Sequence, residues 1–211
     1  MRRAAANLGL TLVVGFGAVV LGGASGAVAQ TSAAAEAPPA PAASSAPSSA
    51  DAAMQALLTV CKPAAERQLP LEVVAGQSGY AKEDAPPTGL PIARSEAQSW
   101  RVPSSAGEVH LVSGEVPEPA QASACMVAVY GDPADGFEKA FAQRAPELKF
   151  ALDPGQSVST AAFHVDHYVA QRGYLSRNIM VIRPLVVSAD HPTLTVIAYR
   201  VDYSWLKSIS H

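Results

Sequence analysis

The chain has 211 residues, a formal net charge of −3 at neutral pH, and 49% hydrophobic and 16% charged residues. A mildly acidic chain is a poor partner for nucleic acid or anionic lipid, because both carry dense negative charge. Once the N-terminal segment is set aside, the remaining length suits one domain with its own hydrophobic core. Such a domain does not depend on a bound metal or on many disulfides to fold.

The first 29 residues have the three parts of a secretory signal peptide. Arg2 and Arg3 supply positive charge, Leu8–Leu21 is apolar and uncharged, and Ala27-Val28-Ala29 offers the small residues that signal peptidase requires. A retained membrane anchor is the alternative, although glycine and serine residues interrupt the apolar run near its end. The sequence predicts cleavage after Ala29 and a periplasmic or secreted mature protein without a membrane span.

Residues 30–50 form the second segment and consist almost wholly of alanine, proline and serine, with Glu36 as their only charge. A segment with nothing large to bury cannot offset the entropy of its own ordering. We therefore predict a disordered linker here and a single folded domain over residues 51–211.

The folded domain begins with a helix. Asp51 is a good N-cap, and Met54, Leu57 and Cys61 follow at spacings of three and four, which places them on one helical face. Pro63 is expected to bend or end this helix. Residues 69–91 are rich in glycine and proline and are predicted to be mostly loop, with a short helix near Gly79–Asp84.

From Ser99 onward, short runs of β-branched and aromatic residues are separated by turn residues, which is typical of strands. Asp132-Pro133, followed by Phe137 and Phe141, predicts one central helix ending before Pro146. The fold class is therefore α+β, with an antiparallel sheet of about five to seven strands, a C-terminal β-meander, and both helices packed on one face. The predicted strands are Ser99–Val102, Glu108–Ser113, Ala124–Tyr130, Lys149–Leu152, Thr160–Ala170, Arg177–Val187 and Thr193–Tyr203.

Cys61 and Cys125 are the only two cysteines. In an oxidising compartment they are expected to form a disulfide that ties the first helix to a central strand. Two buried thiols, or a redox or intermolecular role, are the alternatives. The sequence lacks the closely spaced cysteine pair of thioredoxin-like redox sites, so a structural bond is the favoured interpretation.

One cluster carries residues suited to metal binding: His164, Asp166 and His167. Two imidazoles and a carboxylate are good ligands for a transition metal. On a regular strand, however, His164 and Asp166 share one face while His167 points to the other. A bulge would be needed to bring all three to one ion, so a polar, solvated sheet face is the favoured interpretation.

A second candidate site comprises Arg183, Arg200 and Tyr199. The two arginines lie in adjacent predicted strands, and guanidinium and aromatic groups in a shared cleft would suit an anionic or planar ligand. The alternative is that these arginines pair with nearby carboxylates at the edge of the sheet.

No catalytic motif with the required spacing is present, and no family resemblance is identified. The sequence predicts no cofactor. It favours a non-enzymatic, exported domain that binds an unidentified protein or small ligand in the cell envelope. The alternative hypothesis is a periplasmic hydrolase, metal-dependent or not, that uses His164, Asp166 and His167. Sequence alone also leaves open a Ser-His-Asp triad assembled in space.

Overall fold

The computed structural model describes residues 46–91, 96–116 and 122–204. The predicted signal peptide, residues 1–29, and most of the predicted linker lie outside these ranges. Within them, no helix is long and apolar enough to span a bilayer.

The N-terminal helical segment runs as α1 (Ser49–Ala56), a π-helical turn (Leu57–Cys61) and α2 (Lys62–Arg67). It begins three residues earlier than predicted, because Ser48 rather than Asp51 is the N-cap and its hydroxyl accepts from the Asp51 N–H at 3.2 Å. Pro63 does not end the helix. It lies at the start of α2, directly after the π-helical turn, where a missing N–H interrupts little.

A further helix, α3 (Leu71–Gln77), occupies part of the region predicted to be loop. Its Val74 and Ala75 are buried against the helical segment before it. The short helix predicted near Gly79–Asp84 is wrong: this stretch contains β1 (Ala81–Lys82), which pairs with Arg101 and Trp100 at the sheet edge.

The described residues form one nine-stranded, fully antiparallel sheet with order β1-β2-β3-β4-β9-β8-β7-β5, and β6 also pairs with β7. The predicted fold class is confirmed, with two more strands than expected: β1 (Ala81–Lys82) and β6 (Val158–Ser159) are two-residue pairings outside the predicted strands. The remaining strands are β2 (Ser99–Val102), β3 (Glu108–Val116), β4 (Ala122–Tyr130), β5 (Ala151–Leu152), β6 (Val158–Ser159), β7 (Phe163–Arg172), β8 (Leu175–Pro184) and β9 (Leu194–Asp202).

All helices pack against one side of this sheet, which we call the helix face. Helix α4 (Phe137–Arg144) places Phe137 and Phe141 there, fully buried, and Phe141 meets Tyr168 edge-to-face at 4.8 Å. The opposite side, the second face, carries a smaller cluster around Val112, Met126, Ile197 and Tyr199.

Cys61 and Cys125 form the predicted disulfide, which joins the π-helical turn to β4. Both residues are buried in the helix-face core. The bond closes a sequence separation of 64 residues and fixes the helical segment over the centre of the sheet.

Candidate functional site

The three residues considered for metal binding are divided between the two faces. His164 and Asp166 share the helix face, where His164 Nε2 lies 3.2 Å from Asp166 Oδ1. His167 is buried on the second face, with Nε2 3.3 Å from the Tyr199 hydroxyl. Burial lowers the pKa of His167, which favours a neutral imidazole. No group of three His, Cys, Asp or Glu side chains in the described ranges is placed to hold a metal.

Arg183, Arg200 and Tyr199 are also not brought together. Arg183 forms a bidentate ion pair with Glu138 and donates to the Pro133 carbonyl at 2.6 Å. Burial would raise the pKa of Glu138, but the Arg183 guanidinium outweighs it and holds that pKa below its usual range. Arg200 lies near the opposite end of the sheet, and Tyr199 points to the second face.

Arg200 instead belongs to a cluster of four cations that is not evident from the sequence. This basic pocket has a volume of about 490 Å³ and lies at the β7–β8 hairpin, beside β9 and the end of α2. Lys149, Arg172, Arg177 and Arg200 line it, together with Leu175 and a single carboxylate, that of Glu66.

The strand register explains why two of these cations are adjacent. Arg177 of β8 lies directly opposite Arg200 of β9. Side chains in such a pair have Cβ atoms about 5 Å apart, so two guanidinium groups repel each other there. Glu66 compensates for both: its carboxylate accepts from Arg177 at 2.6 Å, and its backbone carbonyl accepts from Arg200 at 3.1 Å.

The compensation is incomplete. Lys62 shares the same Glu66 carboxylate at 3.1 Å, and the Arg200 guanidinium lies 3.9 Å from the carboxylate of Asp202. The buried Nε of Arg200 makes no hydrogen bond to the residues that the structure describes. The basic pocket therefore holds more positive charge, and more donors, than its own carboxylates satisfy.

The orientation of Arg177 is also fixed from its apolar side. Its guanidinium lies 5.5 Å from the centre of the Phe150 ring, in a cation–π contact. A guanidinium held in this way keeps its remaining N–H groups ready for a planar or tetrahedral anion. Four of the six residues that line the basic pocket carry a positive charge, which suits an anionic ligand.

A larger groove of about 730 Å³ adjoins the basic pocket, because Arg200 lines both. Its walls are the α2–α3 turn and the ends of β3, β4 and β9. Cys125 also lines the groove, so the disulfide supports its floor.

One sequence signal could have revealed Arg177. Along β8 it shares the helix face with Ile179 and Val181, both buried. A charged residue in line with buried apolar residues on a strand requires a partner, and this signal separates Arg177 from arginines on solvated faces. Lys149, Arg172 and Glu66 carry no comparable signal, because loop and strand-end charges are ordinarily solvated.

No protein-family model, no curated protein and no solved structure matches this chain.

Proposed function

We propose that this protein is an exported binding domain that holds a small anionic ligand in its basic pocket. The observation that carries the proposal is the directly opposed pair of Arg177 and Arg200, with Arg172 and Lys149 beside them and one carboxylate among the lining residues.

The positive charge of the basic pocket is only partly compensated. Placing several guanidinium groups close together and partly out of water is unfavourable. A bound anion stabilises such a cluster, because it neutralises the positive charge and accepts hydrogen bonds from the unused N–H groups. Arginine favours phosphate and carboxylate ligands because its planar fork makes two parallel hydrogen bonds to them. The chain as a whole carries a formal net charge of −3, so the charge of the pocket is opposite in sign to that of the chain.

Two features support export. The N-terminal 29 residues have the composition of a signal peptide, with Arg2 and Arg3 before an apolar run. The Cys61–Cys125 disulfide is of a kind that persists in oxidising compartments. We propose a periplasmic or secreted location, where the ligand would be an anionic metabolite or an anionic group on an envelope component.

The test is a calorimetric titration of the protein with inorganic phosphate, pyrophosphate and citrate at low and at physiological salt. We expect saturable binding of at least one polyanion, weakening as salt increases, since the contacts are charge-assisted. Arg172→Gln should weaken binding about fivefold or more, because it removes a unit charge from the pocket wall. Arg172 makes no ion pair within the described ranges, so its replacement should leave the fold intact.

The matched control is Arg101→Gln, which removes an arginine paired with Glu108 at 3.1 Å on the second face. The control should bind anions as tightly as the unaltered protein. The proposal is overturned if none of the three probes binds at millimolar concentration, or if Arg172→Gln binds as well as the control.

A further inference from the structure

We propose that Ser159, His164 and Asp166 form a catalytic Ser-His-Asp constellation that hydrolyses small, activated carboxylic esters. The Ser159 hydroxyl lies 2.7 Å from His164 Nδ1, and His164 Nε2 lies 3.2 Å from Asp166 Oδ1. This site is separate from the basic pocket and adds an activity to a chain whose sequence favours binding alone.

The strand pairing brings the three residues together. Ser159 of β6 is the direct register partner of His164 of β7. Asp166 follows two positions later on β7, and period-two alternation puts it on the same face as His164. The three groups thus lie on adjacent paired backbones, whose positions are set by main-chain hydrogen bonds rather than by a long loop.

The geometry is consistent with one protonation state. If Nε2 carries the imidazole proton, it donates to the Asp166 carboxylate, and Nδ1 is left to accept the Ser159 hydroxyl proton. This is the arrangement required of a nucleophile, a general base and a group that orients the base. In the serine-protease triad Nε2 faces the serine and Nδ1 faces the aspartate. Here Nδ1 faces Ser159 and Nε2 faces Asp166, and the transfer of the serine proton to the ring is the same.

The surroundings leave the nucleophile open to substrate. Ser159 is exposed, and 43% of the His164 side chain is accessible. The turn after Ser159 is held by Thr160, whose N–H donates to the Phe163 carbonyl at 2.9 Å. The next N–H in the turn, that of Ala161, makes no hydrogen bond to the described part of the chain and is a candidate donor to a developing oxyanion.

The reaction has two steps. Ser159 Oγ attacks the ester carbonyl, its proton passes to His164 Nδ1, and the carbon–oxygen bond to the alcohol breaks, with the alcohol taking that proton. Water then attacks the acyl-serine, again giving its proton to Nδ1. Ser159 is released with the proton returned, and the products are one alcohol and one carboxylic acid.

The basic pocket does not contribute to this chemistry. The strand β8 carries Arg177 at the pocket and Arg183 opposite His164. These two positions are six residues apart, a distance of about 20 Å along a strand. A single small ester therefore cannot contact both sites.

The experiment uses two probes on the protein with its disulfide intact: p-nitrophenyl acetate, and a fluorophosphonate, in which serine Oγ attacks phosphorus and displaces fluoride. We expect covalent labelling that peptide mass spectrometry locates to Ser159, and ester hydrolysis about 100-fold above the Ser159→Ala variant. His164→Asn should lose both activities. Ser188→Ala, a change at another exposed serine, should keep both.

Asp166 is a positioning residue, so its test separates binding from chemistry. Asp166→Asn should lower kcat about tenfold or more and leave KM unchanged, which a merely structural role would not produce. The proposal is overturned if labelling does not exceed that of Ser159→Ala, or if His164→Asn is labelled as fast as the unaltered protein.

Discussion

Replacing Glu66 by Gln should make the protein less stable and, at the same time, a better binder of anions. Glu66 is the one carboxylate among the residues that line the basic pocket, and it accepts from Arg177 at 2.6 Å. The Arg177 side chain is 29% exposed and that of Glu66 is 23% exposed, so solvent screens their attraction only in part. The substitution keeps the shape of the side chain and the carbonyl contact to Arg200, and it removes only the charge.

The stability cost follows from these contacts. A charged hydrogen bond contributes about 1.5–3 kcal/mol when well shielded, and an exposed pair contributes less than about 1 kcal/mol. We expect a loss of about 1–2 kcal/mol for this half-buried pair. In a domain of this size, that corresponds to a decrease in Tm of about 4 °C.

The gain in affinity follows from the same charge. A carboxylate about 6 Å from a bound anion, with an effective dielectric constant of about 20, weakens binding by about 3 kcal/mol before salt screening. Glu66→Gln removes this repulsion. We therefore expect Glu66→Gln to bind pyrophosphate about tenfold more tightly than the unaltered protein at physiological salt. Added pyrophosphate should also raise the Tm of the variant more than it raises that of the unaltered protein.

Scanning calorimetry with and without pyrophosphate measures both effects. The control is Glu72→Gln, which breaks an exposed ion pair with Lys82 at 3.1 Å. That variant should change neither the Tm by more than about 1 °C nor the affinity. A Glu66→Gln variant that binds pyrophosphate no better than the control would refute this role of the Glu66 charge.

Three other results should follow from the fold. Replacing Cys61 and Cys125 together by Ala should lower the free energy of unfolding by about 4 kcal/mol in urea titration, given the loop of 64 residues; an unchanged midpoint would contradict a stabilising role for the disulfide. Phe141→Ala should lower the free energy of unfolding by about 3–5 kcal/mol in the same assay, since the Phe141 ring is fully buried and packs on Tyr168. A decrease below about 1 kcal/mol would show that this contact is not part of the core. Burial raises the pKa of Tyr130 to about 12, above its value in the unfolded chain. The neutral phenol therefore contributes about 2 kcal/mol to the free energy of unfolding below pH 10, and this contribution is lost as the pH rises towards 12. The tyrosinate absorbance should follow that loss, and an equal alkaline loss in Tyr130→Phe would exclude this residue as its source.

Long, strongly patterned elements were predictable from the sequence. The meander of β7, β8 and β9 consists of strands of nine or ten residues in which β-branched and aromatic residues recur, and the three pair antiparallel as expected. Helix α3 was missed because Pro70 and Gly76 bracket and interrupt a segment of seven residues. Its stability comes from burial of Val74 and Ala75 against another helix, and local sequence does not encode that contact.

The basic pocket was only partly predictable because it depends on register. Arg200 was identified as a candidate ligand-binding residue, but its expected partner was Arg183. The β8–β9 pairing instead places Arg177 opposite Arg200, and Arg183 opposite His164 at the other end of the sheet. The connection that sets the β8–β9 register is too long for its geometry to be read from composition.

The Ser159–His164–Asp166 constellation was unpredictable for a related reason. Strand β6 has two residues, too few for an alternation pattern, so the pairing of Ser159 with His164 leaves no signal in the sequence. The sequence hypothesis joined His167 to the other two, and strand alternation separates it from them, because no bulge intervenes between His164 and His167.

The most direct test of the basic pocket is a crystal structure of the protein grown with saturating pyrophosphate. Our account predicts an anion between Arg172, Arg177 and Arg200, accepting from the Arg200 guanidinium, and its absence in a crystal of Arg172→Gln grown in the same way. A pocket without the anion at saturation, with pyrophosphate bound elsewhere on the surface, would contradict the account.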